Sequence, residues 1–263
     1  GAHVLGYLDF DGKGVTGMEL ALNEQLTDPA RRGKPVALSL DLRAQAALES
    51  ELGAAMTSFQ AKGAAGVILD VATGEVMAMA SLPTFNPNNI KGSNPEHFRN
   101  NMTQSVYELG STFKPLTMAF AIETGVAPSM AKRYDATAPL QVGGFRIRAV
   151  ELGKERMESM FRKLGFDTRP DIELSGKAAP LWPKFWARTT VMTTGYGHGI
   201  AVTPLHLASA YAALVNGGVW RPATLRRIEP GKAPEGRRVI CEATSARMRQ
   251  LLRMIVTYGT GGK

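Results

Sequence analysis

Ser111 and Lys114 stand three residues apart, where the stretch Tyr107-Glu108-Leu109-Gly110-Ser111-Thr112-Phe113-Lys114-Pro115 passes from polar to apolar. A serine hydroxyl is a weak nucleophile until a neighbouring base takes its proton. A lysine amine can be that base once burial disfavours its charged form. The spacing suits the pair on a helix, where residues three apart share a face. Leu116, Met118, Phe120 and Ile122 predict a buried helix that Gly125 ends. Pro115 then falls in or next to the first turn, where a missing N–H costs least. Ser111 is expected at the helix N-terminus, whose backbone N–H groups could stabilise an oxyanion beside it. Gly110 leaves the approach to the hydroxyl free of a side chain.

Ser-x-x-Lys alone is a weak signal, and the chain holds a second copy, Ser129-Met130-Ala131-Lys132. That copy follows Pro128 and has no apolar helix behind it, so it reads as a solvated turn. By spacing alone Ser111 would be a helix cap and Lys114 a surface charge. A second stretch, Gly195-Tyr196-Gly197-His198-Gly199-Ile200-Ala201-Val202-Thr203-Pro204-Leu205, brackets Tyr196 and His198 with glycines that permit close backbone approach to a ligand. Its plain reading is a turn before a helix capped by Thr203, with Pro204 at the first position. His3, His97, His198 and His206 form no metal-spaced cluster, and the single Cys241 excludes an internal disulfide.

The elements that must position these residues are legible in outline. Residues 5–10 suggest a strand, 11–14 a turn, 17–26 a short helix, and 28–34 a polar linker taken as the first domain boundary. Residues 36–40 alternate as a strand. Residues 42–61 read as a helix with Leu48, Leu52, Met56 and Phe59 on an inward stripe. Two β runs, 65–71 and 76–81, form a hairpin around Ala72-Thr73-Gly74-Glu75. A Pro- and Asn-rich loop, 82–104, delivers the chain to Ser111. Residues 140–148 suggest a hairpin around Gly143-Gly144, and 154–164 an amphipathic helix with Met157, Phe161 and Leu164 inward. Residues 170–183 read as loop. Residues 205–215 predict a helix with Leu205, Ala208, Tyr211, Ala212 and Val215 inward, and 219–228 one or two strands. Residues 244–256 predict a helix with Met248, Leu251, Leu252 and Ile255 inward. Strand, long helix and hairpin together predict an α+β fold, an antiparallel sheet covered by helices.

Apolar residues make up 44% of the 263, enough for one large domain or a domain plus a fragment. No run of eighteen apolar residues would span a membrane, and Gly1-Ala2-His3 opens without the features of a leader. The net charge of +8 favours anionic partners such as phospholipid surfaces or acidic wall precursors. The basic residues are scattered, and no basic helix interleaved with aromatics points to nucleic acid.

The stretch from Glu108 to Pro115 resembles the acylation motif of penicillin-binding proteins, whose sites combine Ser-x-x-Lys with two further motifs. "HVLGYLDFDGKGVTGMEL" resembles the end of the non-catalytic pedestal of division-type members. "VILDVATGEVMAMAS" resembles the first hairpin of their transpeptidase fold, and "FNPNN" and "GYGHGIAVTPLHLASAYAALVNGG" also match. The resemblance runs from His3 to Lys263 and is to class B, division-specific (septal) peptidoglycan D,D-transpeptidases. It implies an end of a pedestal over 1–34 and a transpeptidase domain over 35–263, of the serine β-lactamase-like fold. It implies Ser111 as nucleophile and Lys114 as its base. Glu108 would stand at the rim, and Tyr196 would line the pocket for substrate or β-lactam. Thr194 stands where some relatives carry a second aromatic. The implied reaction acylates Ser111 with a stem peptide ending in D-Ala-D-Ala and needs no metal or organic cofactor. The implied partners are stem peptides, β-lactam antibiotics, a membrane glycosyltransferase and divisome proteins, and the implied place is the periplasmic face of the inner membrane.

Two family motifs are absent from the sequence. No Ser-x-Asn follows Ser111: the strand that precedes it matches 144–148, but Arg148 runs straight into Ala149-Val150-Glu151. No Lys-Thr-Gly or Lys-Ser-Gly occurs, and Gly259-Thr260-Gly261 is a lookalike without the lysine. Either segments are missing, with the C-terminal strands beyond Lys263, or the chain is a true deletion variant. The first is expected, since a sheet shorn of its last strands exposes a hydrophobic edge. The alternatives are a non-catalytic division scaffold or β-lactam sensor, an elongation-specific transpeptidase, and a serine β-lactamase.

Overall fold

The computed structural model of the chain describes residues 1–31, 33–129 and 143–259, and of 143–151 the backbone only. In order these form α1 (Ala2–Leu5), α2 (Gly17–Ala21), α3 (Asn23–Thr27), α4 (Leu42–Phe59), β1 (Ala64–Leu69), β2 (Val76–Leu82), α5 (Lys114–Glu123), α6 (Gly143–Lys163), α7 (Arg188–Thr194), α8 (Pro204–Val215), β3 (Val219–Trp220), β4 (Arg237–Arg238) and α9 (Glu242–Tyr258). Among the described residues no helix is long and apolar enough to cross a membrane.

Asp41 starts α4, its carboxylate accepting from the amides of Arg43 and Ala44 at 2.8 and 3.3 Å. These are donors that a helix N-terminus leaves open. β1 and β2 form the expected antiparallel hairpin, from Ala64 opposite Leu82 to Ile68 opposite Ala78. Asp70 sets the turn by accepting from the amides of Ala72 and Thr73. The outer edge of β2 is covered. The Asp41 amide donates to the Met77 carbonyl and the Ser39 hydroxyl to the Val76 carbonyl. Gln45, buried on α4, bonds the main chain of Met79 in both directions at 2.9 Å.

Two apolar cores organise the rest. One gathers Phe113, Leu116 and Phe120 around α5 with Met157 and Phe161 of α6, Leu164 just beyond it, Leu214 of α8 and Met248 of α9. Phe113 meets the rings of Phe161 and Phe166 at 5.7 and 5.4 Å, pairs worth about 1 kcal/mol each beyond the area they bury. The other joins Val4, Met18 and Leu22, all before residue 34, to Val76, Met79, Leu205 and Leu225. The N-terminal segment therefore shares a core with the sheet.

Several expectations are corrected. Residues 2–5 are helical, and the run to Phe10 is not a strand: only Leu8 pairs, with Gly14, and Phe10 is 95% exposed. The Gly6 amide closes onto the Ala2 carbonyl and turns the chain before a strand can pair. The helix expected over 17–26 is two, α2 and α3, parted at Leu22. Of 36–40 only Leu38 bridges, to Arg226, so that run forms no strand, whereas 219–228 supplies one strand, β3, as expected. The α4 stripe is half-buried, and Phe59 at its end is 82% exposed, because a two-stranded sheet is too narrow to cover it. From Gly143 the chain is helix, not hairpin, broken only at Gly153. No turn residue interrupts Arg146 to Leu152, so nothing reverses the chain there. On α8 the buried residues are Leu205, His206, Ser209, Ala210, Ala213 and Leu214. The inward face is turned from the expected one because α8 packs against β1 and β3 as well as α5 and α9. Residues 130–132 of the second Ser-x-x-Lys, 140–142 and 260–263 lie outside the described residues.

Thr203 and Pro204 begin α8 as expected, and His206 completes a reciprocal cap. The His206 amide donates to Thr203 Oγ1 at 3.3 Å, and the Thr203 amide donates to His206 Nδ1 at 3.2 Å. Nε2 donates to the Thr168 carbonyl at 3.0 Å, so the ring is held neutral. Burial pushes its pKa down from 6.5 to about 4. The unfolded chain takes up the proton first as pH falls. The contribution is therefore whole above pH 6.5, declines between 6.5 and 4, and amounts to roughly 3 kcal/mol. Thermal melts from pH 7 to 4 should fall more steeply for the parent than for His206→Gln. Parallel curves would contradict this.

Candidate active site

The chain reaches the site along a short antiparallel seam. Tyr107 and Val202 exchange backbone hydrogen bonds of 3.0 and 3.1 Å, and the Gly110 amide donates to the Gly197 carbonyl at 3.2 Å. Gly110 and Gly197 both have left-handed backbone, φ +56° and +82°. A Cβ on Gly197 would lie 2.3 Å from the Gly110 carbonyl oxygen and 2.6 Å from its nitrogen, so the two main chains touch. Gly110–Phe113 is a single tight 3-10 turn that hands over to α5 at Lys114.

The turn is tied down from three sides. Phe113, fully buried, roots it in the larger core. The Tyr211 hydroxyl on α8 donates to the Thr112 carbonyl at 2.7 Å, and the Thr117 hydroxyl donates to the Gly195 carbonyl at 2.7 Å. Burial raises the Tyr211 phenol to about 12, so it stays a donor at neutral pH.

Ser111 is exposed on this turn, and Lys114 follows one turn on, half-buried. Both line a cavity of about 270 Å³, with Pro115 and Met118 of α5 and Met248, Leu251, Leu252 and Ile255 of α9. Among the described residues neither side chain has a hydrogen-bond or ion-pair partner, so no carboxylate ties up the amine. The Ser111 amide lies in the first turn, where backbone N–H groups lack intrahelical acceptors. The structure thus sets a serine and a lysine on the wall of one cavity at a helix start, the residue types of a nucleophile–base pair with a backbone oxyanion donor.

Glu108 is not among the residues lining this cavity and instead bonds the 198–199 segment. Its Oε1 accepts from the Gly199 amide at 2.8 Å and its Oε2 meets His198 Nδ1 at 3.1 Å. The Gly199 amide first, then His198, hold its carboxyl below the usual range. Tyr196 is half-buried with its ring edge-on to His198 at 5.4 Å, and it is not among the residues lining the Ser111 cavity. Thr194 is fully buried, its hydroxyl spent on the Thr190 carbonyl at 2.9 Å.

Three site features escaped the sequence. The apolar face of α9 reads as core, yet it walls the cavity, with Ile255 45% exposed. Tyr211 reads as an inward residue, and only its hydroxyl hints at a tether. α7 has no clear signal. Thr117, a polar residue inside the apolar run of α5, was the one visible mark that the helix bonds another segment.

The pattern of the Penicillin binding protein transpeptidase domain matches residues 64–136 and 140–263. A probable peptidoglycan D,D-transpeptidase FtsI of Caulobacter vibrioides is 40% identical over 288 residues, covering 99% of this chain and 49% of that protein. The peptidoglycan D,D-transpeptidase FtsI of Escherichia coli K12 is 27% identical over 310 residues, covering 99% of this chain and 52% of that protein. The chain spans about half the length of these relatives. The aligned spans exceed the chain's own 263 residues, so both relatives carry residues within them that this chain lacks. The penicillin-binding protein 3 of Mycobacterium tuberculosis superposes with a TM-score of 0.83 at 28% identity, over 99% of this chain and 68% of that one. The same protein complexed with aztreonam gives 0.82. The expected α+β transpeptidase fold is borne out.

Proposed function

Because the chain belongs to the penicillin-binding protein transpeptidase family, we propose that it carries the acylating part of a septal peptidoglycan D,D-transpeptidase. The observation that carries this is the shared cavity of Ser111 and Lys114 at the start of α5. Ser111 Oγ attacks the carbonyl carbon of the penultimate D-Ala of a stem peptide, and Lys114 Nζ takes its proton. The Ser111 amide donates to the oxyanion that forms. The C–N bond to the terminal D-Ala breaks, and the departing amine receives the proton from Lys114. An amine of a neighbouring stem then attacks the ester, forms the new amide and returns the hydroxyl to Ser111. A β-lactam enters by the same attack, but its broken C–N bond lies in a ring, so the leaving amine stays tethered and the ester persists.

Glu108 is read as shaping the rim beside Ser111, and Tyr196 as lining the pocket for substrate or β-lactam. Residues 1–34 are read as the end of an N-terminal pedestal, and 35–263 as the transpeptidase domain. The partners that fit are D-Ala-D-Ala stems, β-lactams, a membrane glycosyltransferase and divisome proteins, at the periplasmic face of the inner membrane. The reaction as written employs no metal or organic cofactor.

The test is incubation with a fluorescent penicillin, followed by proteolysis and mass mapping of the adduct. One long-lived ester on Ser111 is expected, with nitrocefin hydrolysed far more slowly than acylation proceeds. An adduct on another residue would refute the assignment. Rapid catalytic hydrolysis would mark a β-lactamase instead.

A further inference from the structure

The seam beside Ser111 changes register within three residues. Tyr107 bonds Val202 in both directions, and continued antiparallel pairing would set Leu109 opposite Ile200. Instead Gly110 bonds Gly197. Gly199 is left facing the seam with its amide pointing at no main-chain acceptor. The Glu108 carboxylate fills that place, at 2.8 Å, and its second oxygen holds the neighbouring His198. We propose that Glu108 is a positioning residue: its carboxylate replaces the missing rung of the seam and fixes residues 197–199 against the serine turn. Without it only the single 3.2 Å bond from Gly110 to Gly197 joins the two segments between Tyr107 and Ser111.

The role rests on the acyl-transfer reading for its kinetic consequence, but the latch itself can be measured without activity. A glutamine at 108 keeps an acceptor for the Gly199 amide and offers a donor to His198 Nδ1, whereas alanine offers neither. In the purified protein, hydrogen exchange at the Gly199 amide should be slow in the parent and in Glu108→Gln, and at least tenfold faster in Glu108→Ala. With the fluorescent penicillin, Glu108→Ala should lower the limiting acylation rate at least tenfold. Its apparent dissociation constant should move less than twofold, since the defect lies in aim and not in binding. Glu108→Gln should acylate within threefold of the parent. Equal exchange at Gly199 in all three proteins would overturn the latch. So would equal loss of acylation in the Gln and Ala variants, because charge would then be what matters. Should Glu108→Ala not fold, the parent and Glu108→Gln decide: an unprotected Gly199 amide in either overturns the proposal. If no variant, parent included, is acylated while the exchange pattern holds, the enzymatic reading fails and the latch stands.

Discussion

Replacing Ser111 by alanine is expected to abolish covalent capture of a fluorescent penicillin, with the melting temperature unchanged. The side chain is exposed on a turn whose geometry other residues hold. Phe113 anchors the turn in the core, Tyr211 ties the Thr112 carbonyl, and the Gly110 amide bonds Gly197. None of these depends on the Ser111 hydroxyl, so losing one oxygen from a solvated site should shift stability by no more than about 0.5 kcal/mol. On the proposed mechanism Ser111 is the nucleophile, so its removal is expected to stop acylation outright. The second hydroxyl with the same spacing, Ser129, follows Pro128 with no apolar run behind it and should not take over. Residual labelling in Ser111→Ala above a heat-denatured control would count against the mechanism.

Lys114→Met should lower the acylation rate by roughly 10²- to 10⁴-fold, the range that a positioned proton acceptor supplies. Methionine keeps an unbranched apolar stem against Met118 and Leu251, so the cavity's shape survives. Lys114→Arg sharpens the test. A guanidinium keeps a positive charge but cannot be deprotonated in proteins. If the amine acts as a base, arginine should be as damaging as methionine. Recovery of acylation in Lys114→Arg would show that charge alone suffices and would remove the base role.

The fold was legible where sequence patterns are local. The hairpin β1–β2, the apolar run of α5 and the cap Thr203-Pro204 each carry their signal within a few residues, and each stands where it was expected. The placing of Ser111 and Lys114 on one rim followed from the same short-range logic. What failed depends on partners remote in sequence. Whether 36–40 pairs as a strand is set by residues 225–227 and by β2, not by its own alternation. The inward face of α8 is set by the helices and strands that pack on it, α5, α9, β1 and β3. The wall formed by Met248, Leu251 and Ile255 looks identical to a core stripe until the opposing surface is known. The bond from Glu108 to Gly199 spans ninety-one positions and leaves no periodic trace.

The contact of Gly110 with Gly197 leaves no room for a methyl group on the second of them. On the proposed acyl-transfer reading, a substitution there that excluded a β-lactam would also displace the turn that carries Ser111. On the same reading, changes that lower β-lactam capture while sparing transfer are expected at positions farther out, where bulk or polarity can change while the touching backbones stay as they are.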